Sequence, residues 1–306
     1  MESTRTVKPL APPAPYIGGK RNLARRIVEI VESTPHTTYA EAFVGMGGVF
    51  LRRRQIPKME VINDYSRDLA TFFRVLQRHY VAFMEMMRFQ LTTRTEFERL
   101  AATDPETLTD LERAAAFFYL QRTAFGGKVA GRCFGVAVNR PARFDITRLG
   151  PLLEEIHGRL AGVVIECLPF ADFIRRYDRP GTLFYLDPPY YGSEGDYGRA
   201  LFGRDDFAAL AAVLRELRGR FILSLNDVPE IREIFAAFHM EGVETTYTIR
   251  GQGESTRAAE LVITGPLKRF YEGGWRPGIK VLALPTHQHL EESHGKPPRC
   301  IQGRRF

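Results

Sequence analysis

Residues 38–64 read TYAEAFVGMGGVFLRRRQIPKMEVIND, and this stretch decides the fold class. It begins with a strand-like run, Thr38 to Phe43, which leads through the glycine turn Gly45 to Gly48 into a predicted helix. A second short strand, Met59 to Asn63, follows and ends beside Asp64. A strand, a glycine turn, a helix and a second strand with a terminal acid are the plan of a nucleotide-binding βαβ unit.

Strand and helix patterns alternate on both sides of this unit. Helices are predicted over Lys20–Glu32, from the glycine turn to Arg54, and over Ser66–Gln77, Leu108–Ala124, Phe170–Tyr177, Asp205–Arg218 and Pro229–Phe238. Further strands are predicted over Val163–Cys167, Leu183–Leu186, Phe221–Leu225, Val243–Ile249 and Glu260–Thr264. We therefore expect an α/β fold with a seven-stranded Rossmann-like sheet, in which five strands are parallel and the last two form an antiparallel hairpin.

The alternation is interrupted once, which suggests an insertion. Residues 78–160 have helix and loop patterns but no strand, so we interpret them as a mostly helical insert. The flanking segments 16–77 and 161–266 would then form the main domain. Residues 1–15 are Pro-rich and predict an extended arm, and residues 267–306 form a basic tail that is either extended or disordered.

Composition favours a protein that binds a polyanion and stays inside the cell. The formal net charge is +7 and the pI about 9.4. Arg113 to Arg159 contains eight Lys or Arg against three Asp or Glu, which is either a binding surface or solubilising charge. The three cysteines form no CxxC pair, and no apolar run suggests export or a membrane span, so we expect a cytoplasmic protein.

The most informative motif is Asp187-Pro188-Pro189-Tyr190. The apolar run Leu183–Leu186 places it at the carboxyl end of a buried strand, the edge at which open α/β sheets bind ligands. The prolines stiffen the backbone, so the Asp187 carboxylate and a nearby carbonyl can both accept from one NH2 group. Tyr190 offers a stacking face. Two acceptors would direct the lone pair of an aromatic amine at an incoming electrophile. The alternative is a Pro-rich turn that only ends the strand.

The glycine turn and two further segments predict a nucleoside-binding site. Gly45 and Gly47 allow close backbone approach to a ligand, and Asp64 follows Gly47 by 17 residues, a spacing typical of an acid that accepts from ribose hydroxyls. The sequence has no GxxxxGK[ST] phosphate loop, which favours a nucleoside over a triphosphate. In the segment Tyr16–Lys20, Lys20 begins a predicted helix, at the end where the helix dipole disfavours a cation. A ligand carboxylate that pairs with Lys20 would explain this position.

Two weaker patterns have plain alternatives. His287, His289, His294 and Cys300 fit no zinc template, so we expect a polar tail and no metal. Ser224 to Asp227 ends another central strand. These residues either line the pocket or satisfy the backbone of a nearby loop.

These motifs, in this order, resemble those of the Dam-like (D12 class, alpha group) adenine-N6 DNA methyltransferases over roughly residues 14 to 266. Further matches are Phe118–Arg122, similar to the family's FYLNR segment, and Ala259–Ile263, similar to its ELLI strand. The overall character is that of prophage-encoded orphan methylases. The resemblance implies a class I methyltransferase fold, S-adenosylmethionine as methyl donor and double-stranded DNA as partner. The sequence does not decide the oligomeric state, for which a monomer is favoured.

The resemblance also implies roles for individual residues. Asp187, Pro188, Pro189 and Tyr190 would hold a flipped adenine, which must leave the duplex because its N6 is engaged in pairing. The methyl donor would be contacted by Tyr16, Lys20, Glu41, Phe43, Gly45, Gly47, Asp64 and Asp187. Residues 78–160 would be the target recognition domain, with DNA contacts at Arg122, Phe125, Lys128 and Arg132.

The sequence departs from relatives that methylate GATC at the predicted DNA contact. Those enzymes tend to have an aromatic residue followed by Asn, whereas this chain has Phe125-Gly126. An Asn side chain can bind adenine bidentately and Gly cannot, so we expect a target other than GATC. Gln121 in place of the family's Asn points the same way.

Two other functions are consistent with the motifs. Methyltransferases that act on RNA or on protein glutamine use a related Asn-Pro-Pro-Tyr motif, and Asp187 together with the basic insert favours DNA over both. A catalytically inactive DNA-binding relative would keep the scaffold, but this chain retains all the expected site residues.

Overall fold

Seven strands pair into one central sheet in a computed structural model that describes residues 5–16, 23–136, 139, 141–196, 201–248 and 255–265. The strands are β1 (Arg5–Thr6), β2 (Thr38–Glu41), β3 (Gln55–Ile56), β4 (Met59–Asn63), β5 (Val164–Glu166), β6 (Thr182–Leu186), β7 (Arg220–Asn226), β8 (His239–Thr248) and β9 (Ser255–Gly265). The helices are α1 (Ala24–Ser33), α2 (Arg67–Arg78), α3 (Tyr80–Met87), α4 (Arg94–Ala102), α5 (Asp110–Thr123), α6 (Ile146–Arg159), α7 (Phe170–Tyr177), α8 (Asp205–Arg215) and α9 (Pro229–Ile234).

The order of strands in the sheet is β5-β4-β2-β6-β7-β9-β8. The first five are parallel, and β9 runs antiparallel to both β7 and β8. This confirms the predicted sheet of five parallel strands and a terminal hairpin. The chain order reverses between β2 and β6, and at such a switch point the loops that follow the two strands diverge and leave a cleft.

Both faces of the sheet are covered, which explains the continuous apolar runs of its strands. On β6, Leu183 and Tyr185 pack into one apolar cluster, while Phe184 and Leu186 pack into the other. The first cluster contains residues of α1 and α2, and the second contains residues of α7, α8 and α9.

The helical segment that follows α2 shares the core of the sheet. The Phe118 ring of α5 stacks on Phe72 of α2 with centroids 5.4 Å apart, and both rings are fully buried. Helix α5 begins with a capping box, in which Thr109 and Glu112 satisfy each other's backbone N–H groups. The helices from α3 to α6 therefore extend one layer of the protein instead of enclosing a core of their own.

The Pro-rich arm lies against the main domain over its described residues. Strand β1 pairs antiparallel with β3, and the Leu10 N–H donates to the Leu51 carbonyl at 2.8 Å. Leu10 and Ala14 are buried, so the arm contributes apolar side chains to the core.

Several predicted element boundaries are wrong, and each has a tertiary cause. The helix expected after the glycine turn is only a 3-10 turn, Phe50–Arg52, because the following residues form β3 against the arm. Helix α9 ends at Ile234, because the chain turns there and enters β8, which pairs with β9 from His239 onward. The hairpin strands are longer than predicted, because their ladder continues from His239 to Thr248.

Candidate active site

Polar side chains gather at the carboxyl edge of the sheet, on both sides of the switch point. Glu41 ends β2, Asn63 and Asp64 lie at the end of β4, Asp187 follows β6, and Asn226 ends β7. Because parallel strands present their carboxyl ends at one edge, the sequence motifs that precede and follow the helical segment come together here.

The Asp187 carboxylate is held by a hydroxyl from the neighbouring strand. Ser224 Oγ donates to Asp187 Oδ1 at 3.1 Å, and Ser224 Oγ lies 2.9 Å from the Tyr185 hydroxyl. Asp187 is half-buried, whereas Ser224 and Tyr185 are fully buried. The sequence pattern left the role of Ser224 open, and nothing in it indicated a role for Tyr185.

The rest of the Asp-Pro-Pro-Tyr loop is braced from the end of β7. Asn226 Oδ1 accepts from the Tyr191 N–H, and its Nδ2 donates to the Tyr191 carbonyl, both at 3.0 Å. Pro188 and Pro189 are buried and Tyr190 is half-buried. Of the two interpretations for residues 224–227, Asn226 therefore fits the second, which was satisfaction of a loop backbone.

The glycine turn lies beside Asp64, as its predicted role requires. Gly45 and Gly47 have φ of +50° and +75°, a region that favours glycine. Asp64 accepts from the Gly45 N–H at 3.1 Å and from the Ser66 N–H at 2.9 Å. Burial raises the pKa of Asp64 to about 6, and these two backbone hydrogen bonds oppose that rise.

Tyr16 packs over the glycine turn. A Cβ on Gly45 would lie 3.2 Å from the Tyr16 ring, so the ring and the turn are in close contact. The structure thus brings Tyr16, Gly45 and Asp64 together. Lys20, which was also predicted to contact the donor, lies outside the described residues.

Glu41 lies beneath the cleft in a buried polar cluster. Its Oε2 accepts from the Tyr39 hydroxyl at 2.6 Å, and the Arg53 guanidinium lies 3.5 Å from the centroid of the Tyr39 ring. Burial raises the pKa of Glu41, Asp187 raises it further, and the Tyr39 hydrogen bond and the charge of Arg53 oppose the rise. The raised pKa favours the protonated, uncharged form of Glu41.

Aromatic rings form one wall near the end of β2. The Phe43 ring lies 5.9 Å from the Phe170 ring and 5.7 Å from the Phe202 ring, measured between centroids. Phe43 was predicted to contact the cofactor, whereas Phe170 and Phe202 were missed. Phe170 begins the helix that follows β5, so the sheet order brings it near Phe43, and no local pattern indicated this.

The predicted DNA contacts fall into two groups. Phe125 is 57% exposed, Lys128 is exposed, and Arg132 is half-buried with its Nε 3.3 Å from the Lys128 carbonyl. Arg122 instead donates to the Arg143 carbonyl at 2.6 Å and to the Pro13 carbonyl at 3.3 Å. Its observed role is to tie two backbone segments together, and its contact with DNA stays a prediction.

Gln121 joins the predicted DNA-binding loop to the segment that carries Tyr16. Its Nε2 donates to the Pro15 carbonyl at 2.8 Å and to the Gly127 carbonyl at 2.7 Å, and the side chain is fully buried. Gly127 has a φ of +71°, and a Cβ there would lie 2.9 Å from the carbonyl carbon of Pro15. The sequence difference at position 121 therefore concerns packing between backbone segments.

The described part of the chain shows neither a metal-binding cluster nor a membrane-spanning helix. Among those residues, no three His, Cys, Asp or Glu side chains cluster in a way that could hold a metal ion. None of the helices found there combines the length and the apolar character that a bilayer crossing needs.

Comparison with known proteins matches this chain to one family. Residues 16–249 match the model of the D12 class N6 adenine-specific DNA methyltransferases. The chain is 22% identical over 262 residues to the type II methyltransferase M.CviBI of Paramecium bursaria Chlorella virus NC1A. The alignment covers 83% of this chain and 99% of that protein. It is 27% identical over 270 residues to the DNA N-6-adenine-methyltransferase of Escherichia phage P1, covering 81% of this chain and 34% of that longer protein. Among solved structures it is similar to a precorrin 8W decarboxylase from Methanobacterium thermoautotrophicum, with a TM-score of 0.38, 11% identity, and coverage of 85% of this chain and 100% of that one.

Proposed function

We propose that this chain, which belongs to the family of D12 class N6 adenine-specific DNA methyltransferases, holds its target adenine against Asp187-Pro188-Pro189-Tyr190. The enzyme transfers a methyl group to N6 of adenine in DNA. The observation that supports this placement is the Asp187 carboxylate at the switch point, oriented by the hydroxyl of Ser224.

The residues at the cleft suit S-adenosylmethionine, the methyl donor of this family. When bound, this molecule supplies an electrophilic methyl group on a positively charged sulfur. Each Asp64 oxygen accepts one backbone hydrogen bond and keeps a lone pair that can accept from a ribose hydroxyl. The Asp187 carboxylate favours a cation in the cleft, so the chemistry of this side chain fits the donor.

The remaining cofactor residues keep the roles that the family resemblance implies. Tyr16, Gly45 and Gly47 would line the donor from the side of the turn, with Lys20 at a ligand carboxylate. Glu41 would shape the methionine end, and Phe43 would contact the donor from the aromatic wall.

Asp187 directs the amine by accepting one of its two N6 hydrogens. A backbone carbonyl of the stiff Pro188-Pro189 turn accepts the other, which favours a pyramidal nitrogen whose lone pair points at the methyl group. The nitrogen–carbon bond forms as the bond between the methyl group and sulfur breaks. The electron pair of that bond stays on sulfur, and the positive charge passes to the nitrogen. One N–H bond breaks afterwards, and the proton passes to Asp187 or to water, so no strong general base is needed.

The substrate is double-stranded DNA, from which the adenine is flipped out and stacked on Tyr190. The helical segment 78–160 would recognise the target, with the exposed Phe125 and Lys128 together with Arg132 facing the DNA. Gly126 cannot bind a base through a side chain, so the target differs from GATC. We further propose a Dam-like enzyme of the alpha group that acts as a monomer on DNA in the bacterial or phage-infected cytoplasm.

The test is methylation of unmethylated genomic DNA with labelled S-adenosylmethionine, followed by nucleoside analysis. We expect label in N6-methyladenine for the wild type and less than a few per cent of that activity for Asp187→Ala. Asp172→Ala is the matched control, because Asp172 pairs with Arg175 at 3.2 Å on the exposed surface of α7. Activity of Asp187→Ala close to that of Asp172→Ala would contradict the role of Asp187. Label in RNA or protein but not in DNA would contradict the substrate.

A further inference from the structure

We propose that Tyr185 and Ser224 are positioning residues that orient the catalytic carboxylate through a relay of two hydroxyl groups, an inference that rests on the proposed role of Asp187. Tyr185 lies two residues before Asp187 on β6, and Ser224 lies on the adjacent strand β7. The three polar groups form a continuous chain, with steps of 2.9 Å and 3.1 Å.

The direction of each hydrogen bond follows from the number of protons available. A serine hydroxyl has one proton, and Ser224 donates it to Asp187 Oδ1. The 2.9 Å contact with Tyr185 is then satisfied only if the tyrosine donates to Ser224 Oγ. Burial raises the pKa of Tyr185 well above its usual value, and the charge of Asp187 adds to the rise, so the phenol keeps its proton.

The strand register explains why the relay reaches the carboxylate. Leu186 lies opposite Leu223, so Asp187 and Ser224 are the next residues along the two parallel strands. Ser224 lies two residues after Ile222 and therefore on the same face of β7, which is an apolar face of the sheet. A fully buried hydroxyl on such a face needs hydrogen-bond partners, and it finds them in Tyr185 and Asp187.

The relay restrains the carboxylate before the substrate arrives. With Oδ1 hydrogen-bonded to a buried side chain, rotation of the Asp187 carboxylate would break that bond. Misplacement of a catalytic group by about 1 Å can lower a rate by about 100-fold. The relay should therefore affect the methyl-transfer step, and it should leave the affinity for S-adenosylhomocysteine, which has no sulfonium charge, nearly unchanged.

The experiment compares single-turnover methylation rates of Ser224→Ala, Tyr185→Phe and the double variant on DNA. We expect Ser224→Ala to lower the rate about 10-fold to 100-fold, and Tyr185→Phe to lower it less. Because Tyr185 acts only through Ser224, the double variant should be no slower than Ser224→Ala alone. The dissociation constant for S-adenosylhomocysteine should change less than about twofold in all three.

A matched control keeps the outcomes distinct. Thr182→Val removes another buried hydroxyl hydrogen bond, 2.8 Å from Thr182 Oγ1 to the Tyr177 carbonyl, at the far end of the same strand. It should lower stability without lowering the transfer rate.

Multiplicative effects of the two single variants, or rates within twofold of the wild type, would overturn the relay. If Ser224→Ala does not fold, Tyr185→Phe, which keeps the ring, provides the test alone. A methylation rate within twofold of the wild type then overturns the relay. A slower rate with unchanged affinity for S-adenosylhomocysteine supports it. If the wild type labels no adenine, the proposed function fails instead.

Discussion

Replacing Gln121 by Met is expected to lower the free energy of unfolding by about 1–3 kcal/mol. Gln121 Nε2 donates to two backbone carbonyls, those of Pro15 and Gly127, at 2.8 Å and 2.7 Å. A buried acceptor that loses its donor costs about 1–3 kcal/mol, and here this applies to the Gly127 carbonyl, because the hydrogen bond to the exposed Pro15 is only partly buried. Met has nearly the same length and keeps the packing, so lost hydrogen bonds account for most of the change.

The same substitution should also weaken binding of the methyl donor. Pro15 directly precedes Tyr16, whose ring packs over Gly45 in the cleft. Loss of the link between Pro15 and Gly127 should loosen this segment, so we expect affinity for S-adenosylhomocysteine to fall about threefold to tenfold. Urea denaturation measures the stability change, and isothermal titration calorimetry measures the affinity.

Gln77 provides a matched control within the same protein. Its Nε2 donates to the carbonyls of Leu160 and Val163 at 2.7 Å and 2.9 Å, at the opposite edge of the sheet from the cleft. Gln77→Met should therefore destabilise the protein without changing donor affinity. The reasoning is refuted if Gln121→Met is as stable as the wild type within about 0.5 kcal/mol, which is the scale of an ordinary surface substitution. Equal loss of donor affinity in both variants would refute the functional part.

Two further predictions concern buried charges. Burial raises the pKa of Asp64 to about 6, so its carboxylate is charged above that pH and protonated below it. The dissociation constant for S-adenosylhomocysteine should accordingly rise as the pH falls through 6, by up to about tenfold per pH unit. Calorimetry on Asp64→Asn should show weaker binding that does not depend on pH in this range. Glu60 pairs with Arg159 at 2.6 Å and also with Arg53, and all three side chains are buried. Glu60→Leu should lower the free energy of unfolding by about 3–5 kcal/mol, measured by urea denaturation, because it removes the carboxylate that pairs with two buried guanidinium groups. Arg25→Met, which breaks the exposed pair with Glu29, should cause no measurable change in that free energy.

Local patterns were sufficient where an element depends on its own residues. The strand Met59–Asn63 and the helix Phe170–Tyr177 have the bounds predicted for them. The helix predicted to reach Arg54 was wrong because the chain there pairs with Arg5–Thr6, a partner about 50 residues away in sequence. Long-range pairing of this kind leaves no local periodicity that could be recognised in advance.

The sequence by itself determined the class of fold, the family and the edge of the sheet at which Asp187 and Asp64 lie. Strands that end in an acid or a glycine turn carry this information locally, and parallel order brings their ends together. Only the tertiary structure decided that Ser224 donates to Asp187 and that Gln121 joins Pro15 to Gly127. These contacts depend on the register of strands and on loop packing between residues far apart in the chain, so the same residue types could have served several roles until the fold placed them.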